Sequence, residues 1–202
     1  MESHKKIGIL GGTFNPIHNG HLALAQNAYE SLGLDKVLFM PSGNSYMKSN
    51  VLDANIRVEM IKRAIEPFSY FELSLVDVNR TGNTYTCDTL QILHNEQPDN
   101  MFYFIIGADC LFQIEEWRNP DTIFALSTLA CAVRDDYNIT MLQEKRNELS
   151  RRNAKIVFLD LPMVNISSTD IRNKASEHLP LDELVPDVVA DYILQEHIYE
   201  KD

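Results

Sequence analysis

Six short apolar runs alternate with longer amphipathic segments along the chain, and this alternation restricts the fold more than any other feature. Continuously hydrophobic runs of this length are typical of strands that are buried on both faces. The strands are predicted at residues 6–10, 37–40, 71–78, 102–106, 129–133 and 156–159, and the helices at 19–32, 53–66, 86–95, 140–152 and 186–197. This order predicts an α/β fold, a Rossmann-like parallel sheet with helices on both faces.

Capping residues support two of the predicted helices. Gly33 follows the first helix at a position where a glycine commonly ends a helix in the left-handed conformation. Asp53 precedes the second helix, and its side chain can accept a hydrogen bond from the first turn. The polar loops after Leu10, Met40, Ile106 and Leu159 then follow the carboxyl ends of strands, where ligands bind in such sheets.

The length of 202 residues suits one α/β domain and is short for two. We therefore predict a single domain over residues 1–202, with residues 165–202 as a C-terminal helical part. The apolar positions of the last helix fit packing on the domain or on a partner chain, so that a homo-oligomer stays open.

Charge and cysteine content restrict the partners and the compartment. The formal net charge is −11, and a general nucleic-acid-binding protein would present a basic face instead. The three cysteines are far apart and lack CxxC spacing, which disfavours a disulfide framework and a cysteine zinc site. No signal peptide or membrane span is visible in the sequence. We expect a cytoplasmic protein that binds neither nucleic acid nor membranes.

The loop after the first strand carries the clearest chemical signal. Gly11 and Gly12 permit a sharp turn with a close backbone approach, and exposed N–H groups can donate to phosphate oxygens. His18 and His21 are three residues apart, so they share one face at the start of the first helix, near its positive dipole end. Together these groups predict a polyphosphate site. One alternative is a tight turn with two surface histidines; the other, a zinc pair, lacks a nearby Cys, Asp or Glu to complete its ligands.

A second motif lies near the C-terminus, and the two motifs together resemble a known superfamily. The second motif reads Ile166-Ser167-Ser168-Thr169-Asp170-Ile171-Arg172. The pair is similar to the loops of nucleotidyltransferases that carry a GGTFDPxHxGH-type loop and an ISST-type loop. Along nearly its whole length the chain resembles bacterial nicotinate mononucleotide adenylyltransferases. The matching stretches are GGTFNPIHNGHL, Met40-Pro41 with Lys48, Arg57-Val58-Glu59-Met60, Thr84-Tyr85-Thr86, Asp88-Thr89-Leu90, Phe104 to Asp109, Trp117 and ISSTDIR.

This resemblance implies a reaction and a set of site residues. ATP and nicotinate mononucleotide would give nicotinate adenine dinucleotide and pyrophosphate, a step of NAD biosynthesis. Mg²⁺ would be the cofactor, held mainly by the nucleotide phosphates rather than by a protein metal site. His18, His21 and Arg172 would be catalytic. The remaining residues would bind ATP and its phosphates (Gly11, Gly12, Thr13, Phe14, Lys48, Gly107, Asp109, Ser168, Thr169) or nicotinate mononucleotide (Thr86, Trp117, Arg134).

Several residues depart from the family pattern or have other interpretations. The family usually has PPHK where this chain has Ser45 to Lys48, so Lys48 is either a phosphate contact or a solvated loop lysine. Trp117 either stacks on the pyridine ring or only packs, and Asp109 can serve as a helix N-cap. The position after Trp117 is often Tyr in the family and is Arg118 here. One alternative function is that of another adenylyl- or cytidylyltransferase of the same superfamily, with nicotinamide mononucleotide or phosphopantetheine as the acceptor. The other is a catalytically silent nucleotide-binding regulator.

Overall fold

A computed structural model describes residues 4–43, 51–133, 138–160 and 166–200 of the chain. Its centre is a six-stranded sheet in which every neighbouring pair of strands is parallel. The strands are β1 (Lys6–Gly12), β2 (Lys36–Pro41), β3 (Phe71–Leu73), β4 (Met101–Gly107), β5 (Thr128–Val133) and β6 (Lys155–Asp160). Their order across the sheet is β3-β2-β1-β4-β5-β6. The predicted Rossmann-like architecture is confirmed. Lys48 and Arg134 lie outside the described residues.

Helices connect the strands and continue after the last one. They are α1 (Asn19–Leu32), α2 (Ala54–Ile65), α3 (Thr86–Glu96), α4 (Ala108–Gln113), α5 (Pro120–Leu126), α6 (Ile139–Ser150), α7 (Ser168–Ser176) and α8 (Asp187–Gln195). A 3-10 turn, Ile114–Glu116, lies between α4 and α5. In the part of the chain that the structure covers, no helix is long and apolar enough to cross a membrane.

Both predicted caps are present. Gly33 ends α1 with φ 59°, in the left-handed region that a side chain would disfavour. Asp53 caps α2, where its carboxylate accepts a hydrogen bond of 2.8 Å from the Asn55 amide. The periodicity did not predict α4, the 3-10 turn or α5, because six, three and seven residues are too few to show a helical period.

The prediction of a strand over residues 71–78 is wrong beyond Leu73. Strand β3 ends there, and the Ser74 amide donates to the Phe39 carbonyl as the chain leaves the sheet edge. The next residues fold back toward the end of β2, because the Asp77 carbonyl faces Gly43. A Cβ at Gly43 would lie 2.3 Å from that oxygen, so a side chain there would displace this crossing.

Each face of the sheet has its own hydrophobic core. Leu10 of β1 and Ile105 of β4 point into a core shared with α1, α2, α7 and α8. Ile9 and Phe104, one residue before each of these, point into a second core shared with α3, α4, α5 and α6. The alternation follows from the pleat of the strands, which turns successive side chains to opposite faces. Strands β2 and β3 are added on one side of β1, and β4 to β6 on the other, so the order of the strands reverses between β1 and β4. The ligand crevice is expected at the carboxyl ends of these two strands.

Candidate active site

The turn from β1 to α1 brings two imidazole rings together. His18 is the N-cap of α1, and its ring lies 3.6 Å from that of His21, centroid to centroid, in a stacked arrangement. The His18 amide donates to Nδ1 of His21 over 3.2 Å. Because Nδ1 accepts, the neutral His21 ring carries its proton on Nε2, which makes Nε2–H the donor of that ring. The predicted sharing of one face is confirmed.

The buried ring of Phe14 packs against this turn. Phe14 has φ 49° and is 2% exposed. Its ring meets the His21 ring edge-on at 4.9 Å, and a Cβ at Gly12 would lie only 3.2 Å from it. The ring of Phe14 therefore belongs to the core, and its main chain is the part of this residue that lies in the loop.

A buried arginine that the sequence analysis did not assign to the site holds the same loop. Arg57 of α2 is 1% exposed. Its guanidinium donates to the carbonyls of Thr13 at 2.7 Å, Ser42 at 2.8 Å and Leu52 at 3.0 Å. Burial lowers the pKa of Arg57 from its ordinary value. A cation with several carbonyl partners ties the ends of β1 and β2 to the start of α2.

The C-terminal motif contacts the N-terminal loop directly. Ser167 caps α7, accepting from the Thr169 amide at 3.2 Å. The neighbouring hydroxyl of Ser168 donates to the Pro16 carbonyl at 3.1 Å. Arg172 donates to the Asn15 carbonyl at 2.8 Å, and also to the Thr169 hydroxyl at 3.0 Å. The two motifs, about 150 residues apart in sequence, therefore form one structural unit.

Tyr199 completes this unit from the end of the chain. Its hydroxyl donates to the side-chain oxygen of Asn15 over 3.0 Å. Burial raises the pKa of Tyr199 well above its ordinary value, while the nearby Arg172 and Arg57 oppose that rise. The hydroxyl therefore stays protonated and remains a hydrogen-bond donor at neutral pH.

Gly107 and Asp109 lie at the same edge of the sheet, at the end of β4. Gly107 is the N-cap of α4 and Asp109 is an exposed residue in its first turn. The alternative interpretation of Asp109 as the N-cap is therefore wrong. An acidic side chain in a first turn is stabilised by the helix dipole without capping the helix.

A pocket of about 190 Å³ opens beside the N-terminal loop. Gly11, Gly12 and Thr13 form one wall, and Thr86, the first residue of α3, lies on another. The Trp117 ring also lines the pocket and meets the Phe104 ring edge-on, with centroids 6.2 Å apart. The structure thus brings the predicted acceptor residues Thr86 and Trp117 into one cavity. His18, His21 and Arg172 are outside its lining, across the N-terminal loop.

A polar cluster supports the wall that contains Thr86. Asp77 accepts hydrogen bonds from the Thr89 hydroxyl at 2.6 Å and from Arg80 at 3.4 Å. Arg80 also pairs with Asp88 at 3.1 Å. Burial raises the pKa of Asp77, and the bonds from Thr89 and Arg80 oppose that rise. The cluster joins the chain after β3 to the first turns of α3.

Comparison with known proteins shows the family of this chain and the group of enzymes within that family. A family model described as cytidylyltransferase-like matches residues 9–174. The chain is 42% identical to a probable nicotinate-nucleotide adenylyltransferase of Clostridium beijerinckii, covering 96% of this chain and 99% of the relative. It is 40% identical to the protein of that name in Clostridium perfringens, covering 98% and 100%. The chain belongs to the cytidylyltransferase-like family and, within it, to the nicotinate-nucleotide adenylyltransferases.

Solved structures support the fold. A nicotinic acid mononucleotide adenylyltransferase of Plasmodium falciparum in complex with NaAD superposes with a TM-score of 0.79 at 20% identity, covering 97% of this chain and 98% of that one. A Vibrio parahaemolyticus protein described as a nicotinate-nucleotide adenylyltransferase gives a TM-score of 0.65 at 24% identity, with 98% and 97% covered. At these identities the likeness concerns the fold alone.

Proposed function

We propose that this enzyme transfers the adenylyl group of ATP to nicotinate mononucleotide, giving nicotinate adenine dinucleotide and pyrophosphate for NAD biosynthesis. The observation that carries the proposal is the joining of the two motifs: Ser168 and Arg172 bond the main chain of the loop that presents His18 and His21. Cationic and N–H groups converge there, in a chain whose overall charge is −11. Such a local cluster suits a polyphosphate.

The reaction is an in-line displacement. An oxygen of the 5′-phosphate of nicotinate mononucleotide attacks the α-phosphorus of ATP and forms a new P–O bond. The bond from the α-phosphorus to the bridging oxygen breaks, and pyrophosphate leaves with its electron pair. A phosphate dianion is nucleophilic near neutral pH, so no general base is required. Catalysis rests on positioning and on neutralising the charge of the phosphates.

The protein groups divide between the two substrates. His18 and His21 bind ATP phosphates, with the Nε2–H of His21 as a donor. Arg172, Ser168 and Thr169 bind the leaving β- and γ-phosphates at the start of α7, where helix N–H groups favour anions. The main chain at Gly11, Gly12, Thr13 and Phe14 faces the reacting phosphates, with Gly107 and Asp109 beside the nucleotide. Lys48 and Arg134 keep their proposed phosphate and acceptor contacts.

The pocket takes the acceptor. The indole of Trp117 stacks on the cationic pyridinium ring, an arrangement favoured by the electron-rich aromatic face. Thr86 offers a hydroxyl and a main-chain N–H at the start of α3, which together suit a carboxylate. The C-terminal part, residues 165–202, supplies Arg172 to the same site, so residues 1–202 act as one catalytic domain in this proposal.

Magnesium fits this site as a companion of the nucleotide. Mg²⁺ keeps several waters and uses one or two carboxylates together with substrate phosphates, and the exposed carboxylate of Asp109 suits that pattern. When bound, the ion neutralises phosphate charge. We place the reaction in the reducing cytoplasm, a compartment that suits the three free cysteines, two of them buried.

The test is pyrophosphate release from ATP and Mg²⁺ with each candidate acceptor in turn. We expect rapid release with nicotinate mononucleotide and much slower release with nicotinamide mononucleotide or phosphopantetheine. Preference for another acceptor would refute the assignment of substrate. ATP binding without release for any acceptor would indicate a silent nucleotide-binding regulator.

A further inference from the structure

Arg118 lies on the wall of the acceptor pocket, next to Trp117. Its guanidinium carbon stands 4.5 Å from the centroid of the Tyr85 ring. This stacking holds a planar cation against a wall that also contains Thr86. Since Tyr85 precedes the first residue of α3, the guanidinium is placed close to the start of that helix.

The donors of Arg118 are available to a ligand. Arg57 bonds main-chain carbonyls, Arg80 pairs with Asp77 and Asp88, and Arg172 bonds the N-terminal loop. Within residues 4–43, 51–133, 138–160 and 166–200, the guanidinium of Arg118 forms no hydrogen bond or ion pair. It is also the one arginine or lysine among the described residues that line the pocket.

Asp77 is the other charged residue among those described in the lining, and its carboxylate already has partners. The carboxylate of Asp77 accepts from Thr89 and Arg80, and neither bond involves Arg118. Among the described residues that line the pocket, a ligand therefore meets one cation without an ionic partner, Arg118, and one paired anion, Asp77. This arrangement favours an anionic substituent on the side of the ring that faces Arg118.

We propose that Arg118 is a specificity-determining residue whose guanidinium binds the carboxylate on the pyridine ring of the acceptor. The inference rests on the proposed function and extends it to a residue outside both motifs. A carboxylate accepts two N–H bonds from the planar guanidinium fork. A carboxamide offers one oxygen, and its NH₂ group opposes the N–H donors of arginine. The side chain therefore selects an acid over its amide, and the stack on Tyr85 limits the entropy lost on binding.

The size of the effect follows from the exposure of Arg118. A hydrogen bond between charged groups strengthens binding, and water reduces the gain for an exposed partner such as Arg118. We expect Arg118→Gln to lower kcat/KM for nicotinate mononucleotide by roughly 5- to 30-fold. The value for nicotinamide mononucleotide should change by less than about twofold, because the amide loses no charge-assisted bond. For nicotinate mononucleotide, the kcat/KM of Arg118→Lys should lie between those of the wild type and Arg118→Gln, since lysine keeps the charge but lacks the planar fork.

The experiment compares these variants with a matched control. Arg146→Gln makes the same change at an arginine that stacks on Phe158, at 5.5 Å, outside the pocket. Both acceptors are assayed with each variant, and binding is measured by quenching of Trp117, the single tryptophan. A fall in the nicotinate-to-nicotinamide ratio in Arg118→Gln, with none in the control, supports the proposal.

Two other results overturn it. An equal loss for both acceptors in Arg118→Gln would mean that the residue shapes the pocket without reading the substituent. No loss for either acceptor would mean that Arg118 does not contact the ring. If the wild-type enzyme used neither mononucleotide, the proposed function would fail. The quenching titration would then test Arg118 separately. A fall in the preference for binding nicotinate over nicotinamide mononucleotide in Arg118→Gln, but not in Arg146→Gln, would support its role, and an unchanged preference would refute it.

Discussion

Replacing Arg57 with lysine should destabilise the enzyme and slow it, although the charge is kept. The guanidinium bonds four carbonyls on three segments: Thr13, Ser42 with a longer bond to the adjacent Gly43, and Leu52. A lysine ammonium is a single point on a flexible stem, and it can bond about one of these carbonyls at a time. At least two of the carbonyls then lose their partner beside a buried cation.

The lost hydrogen bonds determine how far the free energy of unfolding falls. An unsatisfied buried acceptor costs about 1–3 kcal/mol, and a net bond to a charged donor is worth a similar amount. Thr13 and Ser42 are only half-buried, so water can reach part of their surface and the lower part of that range applies. Two lost bonds give a decrease of about 2–4 kcal/mol in the free energy of unfolding. Such a change is a large share of the about 5–15 kcal/mol that stabilises a typical domain.

Urea unfolding and steady-state kinetics measure this effect. The control is Arg151→Lys, the same change at the exposed C-cap of α6, where we expect less than about 0.5 kcal/mol. Arg57→Lys should also lower kcat, because Thr13 belongs to the loop that leads to His18. If Arg57→Lys matched the control in both stability and kcat, Arg57 would not hold the loop.

Three further predictions concern the site. His21→Ala should lower kcat about 10²–10³-fold in the pyrophosphate-release assay, as for loss of one well-placed donor; near-full activity would remove His21 from the mechanism. Tyr199→Phe deletes the bond to Asn15 and should cost about 1 kcal/mol in urea unfolding, whereas Tyr192→Phe on α8 should change little; equal effects would separate Tyr199 from the loop. The raised pKa of Asp77 means that the folded protein holds this proton at pH values where the unfolded chain has lost it. The contribution of Asp77 to the free energy of unfolding should thus fall as pH rises through that raised pKa, and Asp77→Asn should remove this slope; an unchanged slope would contradict the burial of the charge.

The strands could be predicted because each is a continuous apolar run bounded by polar or glycine residues. The prediction of β3 was wrong where apolar residues leave the sheet. Leu75 and Val76 continue the apolar pattern of β3, but the chain turns after Leu73. In the part of the chain that the structure describes, no further strand pairs with that edge. Periodicity also has a lower length limit, which is why α4 and α5 were not predicted.

The site could be predicted from the sequence where the residues in contact are close together in the chain. The stacking of His18 on His21 follows from their spacing at a helix start. The role of Arg57 was not predictable in the same way, because an arginine in an amphipathic helix usually faces water and its partners lie on three separate segments. The bond from Tyr199 to Asn15 joins residues 184 positions apart and exists only after the last helix has packed.

The position of an isotopic label distinguishes adenylyl transfer from transfer of another group of ATP. The enzyme is incubated with nicotinate mononucleotide and ATP labelled either at the α- or at the γ-phosphate, and the products are separated. The proposed reaction places the α label in the dinucleotide and the γ label in pyrophosphate. A γ label on the acceptor would contradict attack at the α-phosphorus, and an α label left in AMP would contradict transfer to nicotinate mononucleotide.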